Sequence, residues 1–179
     1  MHLLYESLLP SANWLTIGLL FAVVLVCIGL FIGRLDALRR TTNIGREKLL
    51  DGRLWYTASD AASLFDQLGA RGRRLYAWTA VTLDLFFPLA YGLLFALLLV
   101  RLWPPGQAWL LLLPILTVLA DILENLTIAT MIWTWRAGEE PSLAGEAAIF
   151  TLTKHIFLLL SVLAILIGFV HALPRLGCC

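Results

Sequence analysis

The chain has 179 residues, of which 60% are hydrophobic and only 14% are charged, and its mean hydropathy is +0.87. These values exclude an ordinary soluble domain and predict a protein that is embedded in a lipid bilayer. The formal net charge of +1 hides a strong asymmetry of charge along the chain.

Four apolar stretches are each long enough to cross a bilayer, which takes about 20 helical residues. They cover residues 13–33, 76–101, 109–133 and 147–171. Because a helix satisfies its own backbone hydrogen bonds in lipid, the pattern predicts an all-α fold, an integral membrane four-helix bundle that forms a single membrane domain over residues 1–179. The first stretch is interpreted as a retained anchor, since no basic residue precedes it and no small-residue cleavage site follows it.

The segment 34–75, between the first two apolar stretches, carries most of the basic charge. It holds nine of the 13 Lys and Arg residues, whereas residues 1–13 and 102–108 hold none. By the positive-inside rule this loop is predicted to be cytoplasmic and both chain termini to lie outside. We therefore expect a multi-pass protein of the cell membrane, the inner membrane of a bacterium, with membrane lipids as partners. No nucleic-acid partner is expected, because the basic residues flank helix ends and form no recognisable binding module.

The same loop contains a short amphipathic pattern, TASDAASLFDQLG. Ser59 is predicted to be the N-cap of a helix and Gly69 its stop signal, with the apolar residues between them on one face. We expect this helix to lie in the cytoplasmic interface of the membrane, with an aromatic belt at the same level. The apolar face consists of Ala61, Leu64, Phe65 and Leu68, and the belt of Trp55, Tyr56, Tyr76 and Trp78.

In the third apolar stretch, the free-energy cost of inserting two carboxylates into a membrane is about as large as the gain from inserting the apolar residues. On an insertion scale, a central carboxylate costs about 3 kcal/mol and a large aliphatic residue returns about 0.3–0.6 kcal/mol. Asp121 and Glu124 therefore cost about as much as the thirteen Leu, Ile and Val residues of the stretch return. Together with Thr117 and Asn125 they form one helical stripe, which must face the interior of the bundle.

The second apolar stretch supplies a matching acidic position. Asp84, Pro88 and Tyr91 are spaced at i, i+4 and i+7, so they share one helical face. Because Pro88 has no N–H, the backbone carbonyl of Asp84 loses its usual partner within the helix. An acidic side chain and a free carbonyl are therefore expected at the same residue.

The fourth apolar stretch adds a cation, Lys154, with His155 pointing about 100° away from it. Counting helical rise from the cytoplasmic ends puts Lys154 level with Asp84 and Glu124, and Asp121 one turn nearer the bilayer centre. Three carboxyl groups would then face one ammonium, and an uncompensated buried carboxylate takes up a proton or attracts a cation. Asp121 is predicted to be the neutral acid, while Asp84 and Glu124 share the charge of Lys154. The candidate ligand-binding residues are Asp84, Tyr91, Asp121, Glu124, Asn125 and Lys154.

The order and spacing of these residues resemble the sequence pattern of a group of small uncharacterised bacterial four-helix membrane proteins. The pattern begins with LGARGRRLY before the second stretch, continues through Asp84, Pro88 and Tyr91, and ends with DILEN and Lys154. It covers roughly residues 50–165. The resemblance implies the architecture and a shared polar site, and it implies no function.

Three functions remain open for the buried polar layer. It binds or modifies a lipid-like or small amphiphilic molecule, or it locks the helices together as a structural element. A proton or ion pathway is the third, less favoured because four short spans leave little room for a pore within one chain. A second copy of the chain, as in a homo-oligomer, also stays open as a partner.

Catalytic motifs are missing from the sequence. It has no nucleophile elbow, no zinc-protease motif and no phosphate-binding glycine loop, so no catalytic residue, cofactor or metal site is predicted, and enzymatic activity is left open. Cys178 and Cys179 resemble a prenylation signal. A tail outside the membrane would not meet the cytoplasmic machinery, so no lipid anchor is expected.

Overall fold

The computed structural model describes residues 1–42, 44 and 49–176, so that Cys178 and Cys179 lie outside the described residues. Within these ranges the regular elements are helices, and no strand is formed. The α-helices are α1 (His2–Leu8), α2 (Trp14–Thr42), α3 (Ala58–Val81), α4 (Leu83–Leu102), α5 (Leu112–Thr134) and α6 (Ala144–Leu176), and short 3-10 helices lie at Leu9–Ser11, Leu50–Gly52 and Pro105–Leu111.

Four helical segments are long and apolar enough to cross a membrane, which confirms the predicted all-α membrane bundle. The first is α2, the second combines α3 with α4, the third is α5 with its preceding 3-10 turn, and the fourth is α6. The chain is therefore a multi-pass membrane protein. Its helices extend beyond the predicted spans, because hydropathy detects only the lipid-facing part of a helix that continues past the apolar region.

Helix α5 lies at the centre of the bundle. It packs along α6 and also contacts α3 and α4, whereas α2 packs mainly against α3 and α4. Only 11% of the most apolar window of α2 is buried inside the protein. The remaining apolar side chains of α2 are therefore available to contact lipid acyl chains.

The amphipathic segment forms the first half of α3, with two corrections to the prediction. The helix is capped by Thr57 rather than Ser59: the Thr57 side chain accepts from the N–H of Asp60, and the Asp60 carboxylate accepts from the N–H of Thr57 at 2.8 Å. This reciprocal capping box satisfies two N–H groups at once. Gly69 kinks the helix instead of stopping it, since its φ of 60° and ψ of 176° turn the chain before the helix resumes.

The apolar face of this half-helix packs on protein and not in the lipid interface, contrary to the prediction. Its four apolar residues are each at most 3% exposed and join a core with the neighbouring ends of α5 and α6. The rings of Phe65 and Trp135 form a T-shaped contact at 5.9 Å between centroids. Arg73 lies over the Trp135 ring and donates to the Phe65 carbonyl at 2.7 Å. The ends of α5 and α6 thus offer the helix an apolar surface that competes with lipid.

The predicted aromatic belt is only half present. Trp55 and Trp78 are exposed, but Tyr56 and Tyr76 are buried. The Tyr76 hydroxyl donates to Asp51 at 2.9 Å, and burial, together with the nearby Glu124 carboxyl, raises the pKa of Tyr56. The hydrogen bond from Tyr76 to Asp51 and the burial of Tyr56 hold residues 49–57 against one end of the bundle.

Candidate functional site

The predicted polar stripe of α5 is buried inside the bundle. Thr117 and Glu124 are fully buried, and Asp121 and Asn125 nearly so. The stripe faces α4 and α6, whose own polar residues Tyr91 and Lys154 form hydrogen bonds with it. Inserting such residues in a membrane is costly unless they meet partners, and the packing of three helices supplies them.

Lys154 forms ion pairs with two acids of α5. Its Nζ lies 2.5 Å from Oε2 of Glu124 and 3.4 Å from Oδ1 of Asp121. Glu124 also accepts a hydrogen bond from the Thr151 hydroxyl at 2.7 Å. The prediction placed Asp121 one turn beyond Glu124, and Asp121 is the farther of the two acids from Lys154. The long Lys154 side chain still reaches both, because acids spaced at i and i+3 are neighbours on a helix.

Asp121 is surrounded by hydrogen-bond donors. The Tyr91 hydroxyl donates to its Oδ2 at 2.7 Å, and the Asn125 amide donates to its Oδ1 at 3.1 Å, beside the contact with Lys154. These groups come from three different helices. The site therefore brings three of the predicted residues onto the carboxylate of a fourth, Asp121. The contact with Lys154 contradicts the prediction that only Asp84 and Glu124 share the charge of this lysine.

Asp84 is the acid that the structure leaves without a partner. It is 7% exposed, and within the described part of the chain its carboxylate forms no ion pair and accepts no hydrogen bond. The predicted pair with Lys154 is not formed, because that ammonium is engaged by the two acids of the helix that faces it. The predicted free carbonyl is confirmed: Pro88 leaves the Asp84 oxygen unbonded within α4, and the Asn125 amide donates to it at 2.9 Å.

A cavity of about 390 Å³ opens beside these groups. Its apolar walls come mainly from α2 and α4 and include the rings of Phe21, Phe31, Phe87 and Phe95. Its polar side is formed by Asp51, Asp84, Asp121, Asn125, Lys154 and His155, with Tyr91 between the two surfaces. Five of the six predicted ligand-binding residues thus line one cavity. Glu124, the sixth, is fully buried between α5 and α6 and is not part of the cavity wall.

Two polar residues of the cavity were not among the predicted ligand-binding residues. His155 lies on its edge, with Nδ1 2.7 Å from the Thr151 carbonyl. Asp51 enters from the loop between the first two predicted spans. The sequence signal for Asp51 is the pair Leu49 and Leu50 directly before it, since adjacent leucines in a charged loop indicate a segment that folds back onto protein. Both leucines are buried.

The acids of the site are not arranged as a metal centre. Among residues 1–42, 44 and 49–176, no three His, Cys, Asp or Glu side chains are close enough together to hold a metal ion. What the arrangement offers instead is a set of hydrogen-bond donors and acceptors at one side of an apolar chamber.

Comparisons with protein-family models, with curated proteins and with solved structures found no match. The resemblance to small bacterial four-helix membrane proteins therefore stays an expectation.

Proposed function

We propose that the protein binds a lipid-like or small amphiphilic molecule, whose polar group rests against Asp84, Asp121 and Lys154. One observation carries this proposal: a single cavity joins the buried polar layer to apolar walls from α2 and α4. A molecule with a polar head and an apolar tail matches both surfaces. The volume, about 390 Å³, falls within the range of small-molecule sites.

The packing of α2 supports entry of the ligand from the membrane. Both α2 and α6 contribute to the cavity wall, yet α2 packs mainly against α3 and α4. Near the start of α2, the Trp14 ring stacks on Phe169 of α6 at 6.4 Å between centroids. Because α2 forms its main contacts with α3 and α4, we propose that an acyl chain enters between α2 and α6. From the basic charge of the loop we place the cavity in the inner half of the cell membrane, with both termini outside.

A structural lock is the second candidate function, and one observation favours it. Glu124, Thr151 and Lys154 join α5 to α6 through buried contacts, and neither Glu124 nor Thr151 faces the cavity. Polar contacts of this kind hold transmembrane helices together. The two functions are compatible, because the same contacts orient Lys154 toward the cavity.

The test is mass spectrometry of the lipids and small molecules that copurify with the protein in a mild detergent. Leu158 lines the cavity, so Leu158→Trp should fill part of it, whereas Leu159 is exposed on the same helix and Leu159→Trp serves as the matched control. We expect one molecular species to be enriched with the wild type and with Leu159→Trp, and lost with Leu158→Trp. Enrichment that survives in Leu158→Trp, or no enrichment over bulk lipid in the wild type, would contradict the proposal.

A further inference from the structure

Among the described residues that line the cavity, carboxyl groups outnumber ammonium groups. Three carboxyl groups, those of Asp51, Asp84 and Asp121, line it together with one ammonium, that of Lys154. This ammonium is already shared between Asp121 and Glu124. Arg34 shares a small neighbouring cavity with Asp51 and Asp84, but it is exposed and, as far as the described residues go, forms no ion pair with either.

The excess charge is concentrated on one side chain. Asp84 is more than nine-tenths buried and lines the cavity, and no described side chain pairs with its carboxylate. It lies in the first turn of α4, where the helix N-terminus favours a negative charge. Burial opposes this effect, because a buried carboxylate is costly unless a cation or a proton compensates its charge.

We propose that the bound amphiphile carries a protonated amine and that Asp84 binds the ammonium group. This inference rests on the proposed binding of an amphiphile and names the chemical class of its head. An ammonium donates up to three hydrogen bonds, and Asp51 and Asp121 border the same cavity as further acceptors.

The aromatic rings of the cavity suit the same head group. The rings of Phe87 and Tyr91 lie 5.2 Å apart, and Tyr91 and Phe95 lie 5.7 Å apart, so an aromatic row runs along α4 from the polar side. Aromatic faces attract cations and give no such attraction to anions. An anionic head would depend on Lys154, which two carboxylates already engage. A metal ion would need converging ligands, which the described residues do not form.

The experiment compares three probes of equal chain length: dodecylamine, dodecanol and dodecanoate. Each is titrated onto the full protein in phosphatidylcholine nanodiscs, and binding to empty nanodiscs is subtracted. Because charge-assisted hydrogen bonds are about twice as strong as neutral ones, we expect dodecylamine to bind at least about tenfold more tightly than dodecanol. Dodecanoate should bind most weakly.

Two matched variants locate the effect. Asp84→Asn keeps the size of the side chain and removes its charge, so the affinity for dodecylamine should fall to that for dodecanol. Asp66 is an exposed carboxylate on α3 outside the cavity, so Asp66→Asn should leave all three affinities unchanged. Thermal unfolding of Asp84→Asn shows whether this variant folds. The comparison of the three probes on the wild type does not depend on that result.

The outcomes separate the two proposals. Failure of all three probes to bind the wild type would overturn the amphiphile function itself. Equal binding of amine and alcohol, unchanged by Asp84→Asn, would overturn only the amine head. Tightest binding of dodecanoate would also overturn the amine and would point to Lys154 as the group that holds the head.

Discussion

Asp121 connects two parts of the polar layer that differ in role. On one side it shares Lys154 with Glu124, in the contact between α5 and α6. On the other it accepts from Tyr91 and Asn125, at the wall of the cavity. A change at the cavity wall can therefore reach the contact between α5 and α6 through one carboxylate.

The ion pair between Glu124 and Lys154 can be tested by single and double substitution. We expect Lys154→Met to lower the free energy of unfolding by about 3–5 kcal/mol, because it leaves Glu124 buried without its cation. Glu124→Gln should cost less, since Lys154 keeps Asp121 as a partner. The double variant should be more stable than Lys154→Met alone. Unfolding in detergent micelles measures all three.

The control for this cycle is Glu146→Gln, which neutralises an exposed acid in the first turn of the same helix, α6. We expect its stability to remain within about 0.5 kcal/mol of the wild type. If the double variant loses as much unfolding free energy as the two single variants together, Glu124 and Lys154 do not stabilise each other.

The contribution of the hydrogen bond from Asn125 to the Asp84 carbonyl to stability should depend on Pro88. Asn125→Leu removes the donor to a buried carbonyl, so we expect a loss of about 1–3 kcal/mol. In a Pro88→Ala background the amide of residue 88 can bond to the same carbonyl, so Asn125→Leu should cost less there. An equal cost in both backgrounds, measured by unfolding, would mean that the effect of Asn125 comes from its other bond, to Asp121.

At the scale of helices, the break between α3 and α4 positions the acid of the cavity. Thr82 leaves helical geometry at φ −116° and ψ −85°, and α4 restarts immediately after it. Asp84 thereby falls in a first turn instead of a helix interior. Further along α4, Gly92 lets this helix approach α5 closely, since a Cβ at that position would overlap a methyl group of Val118.

The kink in α3 gives a prediction about glycine. The backbone of Gly69, with φ of 60° and ψ of 176°, lies in a region that only glycine adopts readily. No atom lies within 4 Å of an added Cβ, so Gly69→Ala should lose about 1–3 kcal/mol through backbone strain alone. Gly145→Ala, at an exposed helical position that is equally open, is the control and should be neutral or stabilising. Equal stability of the two variants would contradict the strained geometry.

At the scale of the whole molecule, the orientation in the membrane follows from charge and needs a direct test. We expect a reporter fused after Gly45 to be cytoplasmic and one fused at the C-terminus to lie outside, because nine basic residues cluster in the segment 34–75. Paired alkaline-phosphatase and fluorescent-protein fusions report on which side of the membrane each fusion point lies. A cytoplasmic C-terminus would overturn this orientation and place the cavity in the opposite half of the bilayer.

The sequence by itself determined the features that depend on local chemistry. Four long apolar stretches require helices in lipid, and the spacing of Asp121, Glu124 and Asn125 places them on one face. The missing N–H of Pro88 likewise predicts the free carbonyl of Asp84, whatever surrounds it.

Only the tertiary structure decided which of these groups meet. Helical rise gives the depth of a residue but neither the rotation of its helix nor the reach of its side chain, so the pairing of Lys154 with Asp121 and the isolation of Asp84 could not be predicted. Nor could the sequence show that residues 49–57 fold under the bundle and bring Asp51 to the cavity, because that depends on an apolar surface assembled from α5 and α6. The cavity itself lies between α2, α4 and α6 because α2 packs mainly against α3 and α4, which is a property of contacts between helices and not of any one of them.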